Sequence, residues 1–550
     1  MMKMIGAPVA KGWPRWARVC VGMLAGLWAG AVAAQAPQAP RVTTIQLPPQ
    51  AAASSRSAVA EVEAIRLGGG PLRVAYPREV GALATAPALA QQLRWDTTPE
   101  GGRVAAVALT SPQALGLRLG LVVDRLPANA LLRFYAPGDT QVQHQVTGAE
   151  VLALLARNRE AGDTTEAGRT YWGPLGWGDT WTVELLLPPG ASAADMAVSL
   201  PRVAHFFLSA DEMDGTVAST RAASCEIDMS CHTSTWAETA NSVAKLSYIE
   251  GGYAYVCTGT LMADRAGSRT PYFLSAYHCV NNQTVASTVE TRWFYRSASC
   301  NGSSTSPLAT TVTGGAALLY ASASTDTSFM RLNRAAPSGA TFANWTSSLA
   351  TNGSSITALH HPRGGLQKIS FGQVAGYESC TADDSEGYYS CNDASSSTGN
   401  YLSVRWSSGI TEGGSSGSGI WLKDGSGKPY LVGTLRGGTS SCGYNGTDTY
   451  GRFDLAYQAA LSTWLGGASS TASASQVACL LNWAEAAYPT LFAPAGAANQ
   501  VAEPYTYRHY PQTGNYLGVS SQDGHVYYLD PAGLMQDLGA ASNWLGQAGC

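Results

Sequence analysis

The sequence predicts a mostly β chain folded as several domains, and three observations carry that expectation. At 550 residues the chain exceeds what one hydrophobic core supports, so about two to four domains are expected. Charged residues make up only 13%, about half the usual ~25%, whereas 60 residues are glycine and Ser and Thr crowd the second half. Short apolar runs such as RVAAVAL, LRLGLVV and TWTVELLLP are bounded by Gly and Pro, the pattern of strands and turns. These figures exclude a coiled coil and a charge-driven disordered chain. A net charge of −4 with a pI near 6.1 leaves no electrostatic basis for nucleic-acid binding.

The elements follow in chain order. Residues 1–34 read as a secretory signal: Lys3, Lys11, Arg15 and Arg18 precede the apolar Val19–Ala29 run, and Ala31, Ala33, Ala34 and Ala36 offer cleavage points. The apolar run is too short to span a membrane comfortably, and no later stretch reaches ~18 apolar residues. Residues 35 to about 65 are Ala-, Gln- and Pro-rich and read as an extended leader. A cysteine-free β unit with one helical segment, AEVLALLARNRE, runs to about 210. From Cys225 to Cys442 the chain becomes Ser/Thr/Gly-rich, as in a β-barrel or sandwich, and ALSTWLGG closes it as a short helix. Residues 466–477 form a small-residue linker, and 478–550 a separate module with a helix, CLLNWAEAAYPTLF, and a tyrosine-rich strand region.

Setting Cys20 aside, ten cysteines remain: Cys225, Cys231, Cys257, Cys279, Cys300, Cys380, Cys391, Cys442, Cys479 and Cys550. An even number in an exported chain reads as disulfides. A Cys479–Cys550 bridge would staple the last module, whose own core is small. There is no C-x-x-C pair, and adjacent histidines at 360 and 361 would point to opposite faces of a strand, so no metal or other cofactor is expected.

Three segments carry chemistry. His278 lies before Cys279 and after the apolar Tyr272-Phe273-Leu274, Asp326 precedes the apolar SFMRL, and Ser416 sits in Gly414-Ser415-Ser416-Gly417-Ser418-Gly419. Each alone has a plain structural reading: a satisfied histidine, an aspartate starting a strand, a flexible glycine loop. Together, in the order His, Asp, Ser, they match the chymotrypsin-type arrangement. A serine hydroxyl needs a base to take its proton, an imidazole titrates in the right range, and a carboxylate fixes the imidazole tautomer. The glycines permit a tight loop whose Gly414 and Ser416 amides aim at a developing oxyanion.

Residues 222–465 resemble the secreted bacterial lysyl endopeptidase branch of the trypsin-like serine proteases. The matching stretches are CTGTL, YFLSAYHC, the Asp326 strand, HHP at 360–362, TEGGSSGSG, GG-x-SSC at 437–442 and DTYGR at 448–452. The resemblance implies a chymotrypsin-like double β-barrel, with His278 as base, Asp326 as its orienter and Ser416 as nucleophile. It also implies the bridges Cys225–Cys442, Cys231–Cys300 and Cys257–Cys279, leaving Cys380 and Cys391 to each other. Residues 35–221 resemble the family's pro-region, and the last module an aromatic-rich domain appended to various secreted bacterial proteins. The expected product is a monomeric secreted endopeptidase acting on polypeptides.

Specificity has its own signal. Trypsin's pocket carboxylate lies six residues before the nucleophile, where this chain has Ile410; the lysyl branch uses an Asp matched here by Asp448. A buried Asp recruits a basic P1 side chain. The family's His before the Gly-Gly pair is Arg436 here, close enough in sequence to the pocket to compete for Asp448, and Tyr377 is the candidate for its pocket aromatic. Trypsin's activation aspartate is Ser415, so a folding-assisting pro-region replaces that switch. No lysine lies between Lys11 and Lys245, so release at Arg221 requires arginine acceptance or another protease; arginine acceptance is the expectation. Two other readings are a surface-binding or adhesion protein on a protease-like fold, with the C-terminal tyrosines as platform, and a nucleophile-elbow esterase around Ser415.

Overall fold

Short alternating strands dominate the computed structural model, which describes residues 40–49, 71–137, 143–208, 222–381, 389–466, 472–502, 505–521, 524–531 and 535–550. The expected signal segment and the junction at Arg221 lie outside these residues. No described helix is long and apolar enough to cross a membrane.

The first unit is a β-sandwich. One sheet runs in the order Val42–Gln46, Arg103–Thr110, Thr180–Leu187, Leu131–Tyr135, His144–Thr147. Its inward residues, among them Val107, Phe134 and Trp181, meet Leu117, Leu119, Leu121 and Val203 of the second sheet in one apolar core. The expected extended leader is therefore partly strand: Val42–Gln46 pairs in parallel with Arg103–Thr110 and so buries its backbone polar groups in a ladder. The helical segment spans Gly148–Glu160, started by a Thr147/Glu150 capping box.

The second sheet does not stop at this unit. Leu72–Glu79 pairs on one edge with Ala197–Phe206 and on the other with the Tyr253–Met262 strand, through Ala254 to Val256. Leu72, Val74, Ala75, Ala204 and Phe206 share a core there with Ile249, Ala254 and Val256. A buried ion pair reinforces the join: Arg118 Nη2 lies 3.6 Å from Glu290 Oε1, with side chains 3% and 5% exposed. Arg118 also donates to the Gly173 and Thr288 carbonyls. Such a buried pair adds little net stability, but removing one partner alone is costly because the other charge stays buried.

Two barrels follow. In the first, Val243–Glu250, Tyr253–Met262, Tyr272–Ala276, Thr327–Leu332 and Ala316–Ser322 pair in succession, with Glu290–Trp293 on the other edge of Val243–Glu250. In the second, Ser355–His360, Gly419–Lys423, Pro429–Gly438, Thr447–Arg452, Tyr401–Ser408 and Lys368–Cys380 form a closed ring. Apolar residues from both barrels, including Leu274, Phe329, Leu359 and Trp421, form one cluster. The closing helical stretch starts earlier than expected, at Phe453, and ends at Leu465.

The last module also starts early. Its helix, Ala474–Ala487, starts inside the stretch read as linker, because Ser473 and Gln476 form a capping box that outweighs the small-residue composition. The helix packs Leu480 and Leu481 against Tyr510, Leu517 and Val519 of a five-stranded sheet. His509 stacks on Tyr516 as a cross-strand pair, and Tyr505 meets Tyr527 over the intervening Asn515–Ser520 strand. Cys479–Cys550 closes the module across 71 residues. Replacing both by serine removes about 4 kcal/mol from this module by the loop-closure relation. Limited proteolysis at rising temperature should show it cut tens of degrees earlier, with peptidase activity unchanged; equal resistance would show the bridge dispensable.

Candidate active site

Strand register brings His278 and Asp326 together. Tyr272–Ala276 pairs with Thr327–Leu332 so that Ala276 faces Thr327, and the two residues follow and precede these ends. Tyr277 N–H donates to the Asp326 carbonyl at 3.0 Å. The Asp326 carboxylate then accepts twice from one residue, from His278 Nδ1 at 2.7 Å and from the His278 amide at 3.0 Å. This two-point contact places the ring proton on Nδ1 and leaves Nε2 as the basic nitrogen. Nε2 is buried with no hydrogen-bond partner among the described residues. Asp326 holds φ = 46°, a left-handed backbone that a short polar side chain tolerates at modest cost.

Ser416 reaches the same place through its main chain. Its carbonyl accepts from Thr258 N–H at 2.8 Å; Thr258 follows Cys257, whose disulfide runs to Cys279 beside His278. The glycine stretch is a buried turn, not a flexible loop: Ser415, Ser416 and Ser418 are each at most 1% exposed. Gly417 has φ = +81°, and a Cβ there would lie 2.2 Å from Ser275 Oγ and 2.9 Å from Ala276 N. Only glycine lets this turn press against the strand that carries His278. Gly414 is similar, at φ = +91° with Gly364 N 2.8 Å from an added Cβ.

A hydrogen-bond chain braces the turn from behind. Glu412 N–H donates to Ser415 Oγ at 3.2 Å, and Ser415 Oγ lies 2.8 Å from His360 Nδ1. His360 Nε2 lies 3.1 Å from Ser370 Oγ, which donates to the Ile410 carbonyl at 2.8 Å. Proton counting makes His360 Nε2 the protonated nitrogen, so every hydroxyl in the chain both gives and accepts. Burial first, then His361 and Lys368, pushes His360 down to about 3, so it stays neutral. The Glu412 carboxylate accepts from Ala223 N–H and Arg363 Nε, each at 2.8 Å, tying residue 223 to the turn. Glu226, its side chain 1% exposed, is raised well above the carboxylate range by burial, with Glu412 and Asp448 nearby.

Asp448 lies on Thr447–Arg452 and is 1% exposed. Its Oδ2 accepts from Trp406 Nε1 at 2.5 Å, Thr411 Oγ1 at 2.7 Å and Ser440 Oγ at 2.7 Å, and its Oδ1 from Ser440 N–H at 3.1 Å. A buried carboxylate so held keeps a fixed orientation. Thr411 precedes the nucleophile turn and Ser440 lies in the GG-x-SSC stretch, whose Cys442 is bridged to Cys225. The other bridges are Cys231–Cys300 and Cys380–Cys391. The close groupings of metal-type donors among the described residues include only cysteines already in disulfides, with His278 or Glu378.

Two residues singled out in the sequence have these partners. Arg436 approaches Asp326, with Nε 3.9 Å from Oδ2. Its aromatic neighbour is Tyr389, with the guanidinium carbon 4.2 Å from the ring centroid. The Tyr377 hydroxyl donates to the Ala350 carbonyl at 3.0 Å. The residues that reasoning from sequence missed, His360, Glu412, Glu226 and Tyr389, each make a contact 47 or more positions away, although His360 sits in the HHP stretch already singled out.

A buried His–Asp pair beside a glycine-framed serine turn, between two β-barrels, belongs to the serine-hydrolase class, and comparison with known proteins narrows it to a serine endopeptidase. The lysyl endopeptidase C-terminal domain family model matches residues 219–453, and the lysyl endopeptidase N-terminal domain model matches 46–207. A lysyl endopeptidase of Pseudomonas aeruginosa is 33% identical over 370 residues, covering 64% of this chain and 72% of that protein. The chain belongs to the lysyl endopeptidase family. Among solved structures, the active form of the Rv3671c protease of M. tuberculosis matches at a TM-score of 0.29 and 15% identity, over 43% of this chain and 87% of that one. The MamO protease domain of Magnetospirillum magneticum matches at 0.27 and 10%, over 41% and 98%.

Proposed function

We propose that the chain is a secreted preproenzyme whose 222–465 region cleaves peptide bonds after basic P1 residues. Residues 1–34 act as the signal, 35–221 as the pro-region and 478–550, extended to Ala474, as an accessory module. His278 Nε2 takes the Ser416 proton as Oγ attacks the scissile carbonyl, and Asp326 stabilises the imidazolium that forms. The Gly414 and Ser416 amides receive the oxyanion. The proton returns to the leaving amine, and water then hydrolyses the acyl-enzyme by the same route.

One observation carries the specificity: the fixed, buried Asp448 carboxylate. Among the described residues its Oδ2 is crowded by three donors while its Oδ1 accepts from one, so only Oδ1 keeps an open acceptor site. A single site suits a point-like ammonium better than the two-point fork of a guanidinium. Lysine is therefore the better P1 residue, with arginine accepted more slowly, enough for one-time release at Arg221. A P1 profile of the purified mature enzyme should rank Lys above Arg by about tenfold or more, and both far above neutral residues. Equal rates for Lys and Arg would overturn the preference; cleavage after neutral residues would overturn Asp448 as the anchor.

A further inference from the structure

The residues at which a basic-P1 enzyme could cut itself are spread unevenly along the chain. Residues 35–221 hold fifteen arginines and no lysine. The 222–465 region holds four lysines, Lys245, Lys368, Lys423 and Lys428. From 453 to 550 the only lysine or arginine is Arg508. A protease cleft takes its substrate extended over several residues, so a folded chain is cut only where it opens locally. Arg508 lies inside the Tyr505–Tyr510 strand, opposite Leu517, and is 6% exposed. Its guanidinium donates to Asn499 Oδ1 at 2.6 Å and, at 2.8 Å each, to Asn482 Oδ1 and Glu485 Oε1. The Glu485 carboxylate also accepts from Gly496 N–H at 2.7 Å, so Arg508 and Glu485 tie helix, loop and sheet together. Opening the Arg508–His509 bond therefore means unfolding a module that Cys479–Cys550 closes.

The lysines nearest the module flank an exposed hairpin turn, the kind of tip where chains are nicked. Asp424 Oδ1 fastens this turn, accepting from Ser426 N–H at 2.9 Å, Ser426 Oγ at 2.6 Å and Lys428 N–H at 3.0 Å. Lys423 pairs with Pro429 across it and holds Nζ 4.4 Å from the Trp236 ring centroid. The bond after Lys428 leads to Pro429, whose nitrogen is locked in a ring and carries no hydrogen. Lys245 and Lys368 lie within paired strands: Lys245 Nζ donates to the Gly364 carbonyl at 3.0 Å, and Lys368 pairs with Asp228.

We propose that the 474–550 module is a permanent part of the working enzyme, because self-cleavage finds no bond at which to release it, and that Pro429 shields the last exposed lysyl bond before it. The proposal rests on the reading of the site as specific for basic P1 residues. The same placement of arginines leaves the pro-region expendable.

The test mixes active mature enzyme with the Ser416→Ala precursor as passive substrate, followed by intact mass and by gels run with and without reductant. The pro-region should be removed while the module stays joined to the catalytic region. Ser470→Lys, in the linker, should free the module without reductant, since the module's own bridge is internal. Pro429→Ala should be cut after Lys428 at least about tenfold sooner than the parent. Its two pieces should separate only on reduction, because Cys225–Cys442 joins them. Release of the module from the parent chain, an uncut Ser470→Lys linker, or a Pro429→Ala chain as durable as the parent each overturns the proposal. Lys-P1 and neutral-P1 peptides run alongside separate the two readings. Cutting of neutral peptides but not Lys peptides sinks the specificity reading, whereas module loss beside a normal Lys preference sinks only this proposal.

Discussion

Replacing Ser416 by alanine should lower peptide hydrolysis by about 10⁶-fold and abolish labelling by serine-directed reagents. The size follows from the chemistry: without Oγ there is no acyl-enzyme, and only the oxyanion donors and substrate binding remain. The turn itself should survive. Gly417 N–H donates to the Leu435 carbonyl, Ser418 N–H to the Ser415 carbonyl, and the Ser416 carbonyl accepts from Thr258; all three bonds are main-chain. The variant therefore also reports on maturation. If the enzyme releases itself, the Ser416→Ala precursor accumulates uncut. An N-terminus at Ala222 in that variant, produced without active enzyme, would refute self-processing, and undiminished hydrolysis would refute the nucleophile assignment.

Replacing Asp448 by asparagine should cost about 10³-fold in kcat/KM on Lys-P1 substrates and far less on neutral ones. Removing one partner of a buried charge pair typically costs 2–5 kcal/mol, and about 4 kcal/mol corresponds to that factor. The amide is nearly the same shape, but its NH₂ cannot accept from the donors that converge on the carboxylate. Some loss of stability should accompany the change. Kinetics on paired Lys- and neutral-P1 peptides separate the two effects: an equal fall on both would be structural and would move the anchor elsewhere.

What could be read from sequence followed distance along the chain. Strands, the two capped helices and the glycine turn leave local marks, and His278, Asp326, Ser416 and Asp448 stood in recognisable short stretches. The Ala474 start was missed because composition was weighed over the Ser473/Gln476 capping pair. The orientation of Arg436 was missed for a different reason. Nothing near residue 436 indicates that its neighbours are Asp326 and Tyr389, 110 and 47 positions away. The Glu412–Ala223 and Glu226–His360 approaches are likewise products of barrel closure, invisible to periodicity. Arg118 and Glu290 look like ordinary surface charges until the two sheets merge over them.

That merging has a kinetic consequence. Ala75 pairs with Ala254, so one ladder joins positions 179 apart, and a ladder of such high contact order is slow to close from a disordered chain. The ribosome, however, delivers the first strand long before the second. A sandwich already folded around Leu72–Glu79 offers Tyr253–Met262 a rigid template, converting a search through loop conformations into addition of one strand to an existing edge. Made without residues 71–208, the same catalytic sequence would fold with the edge at Ala254–Val256 bare, open to strands of other chains.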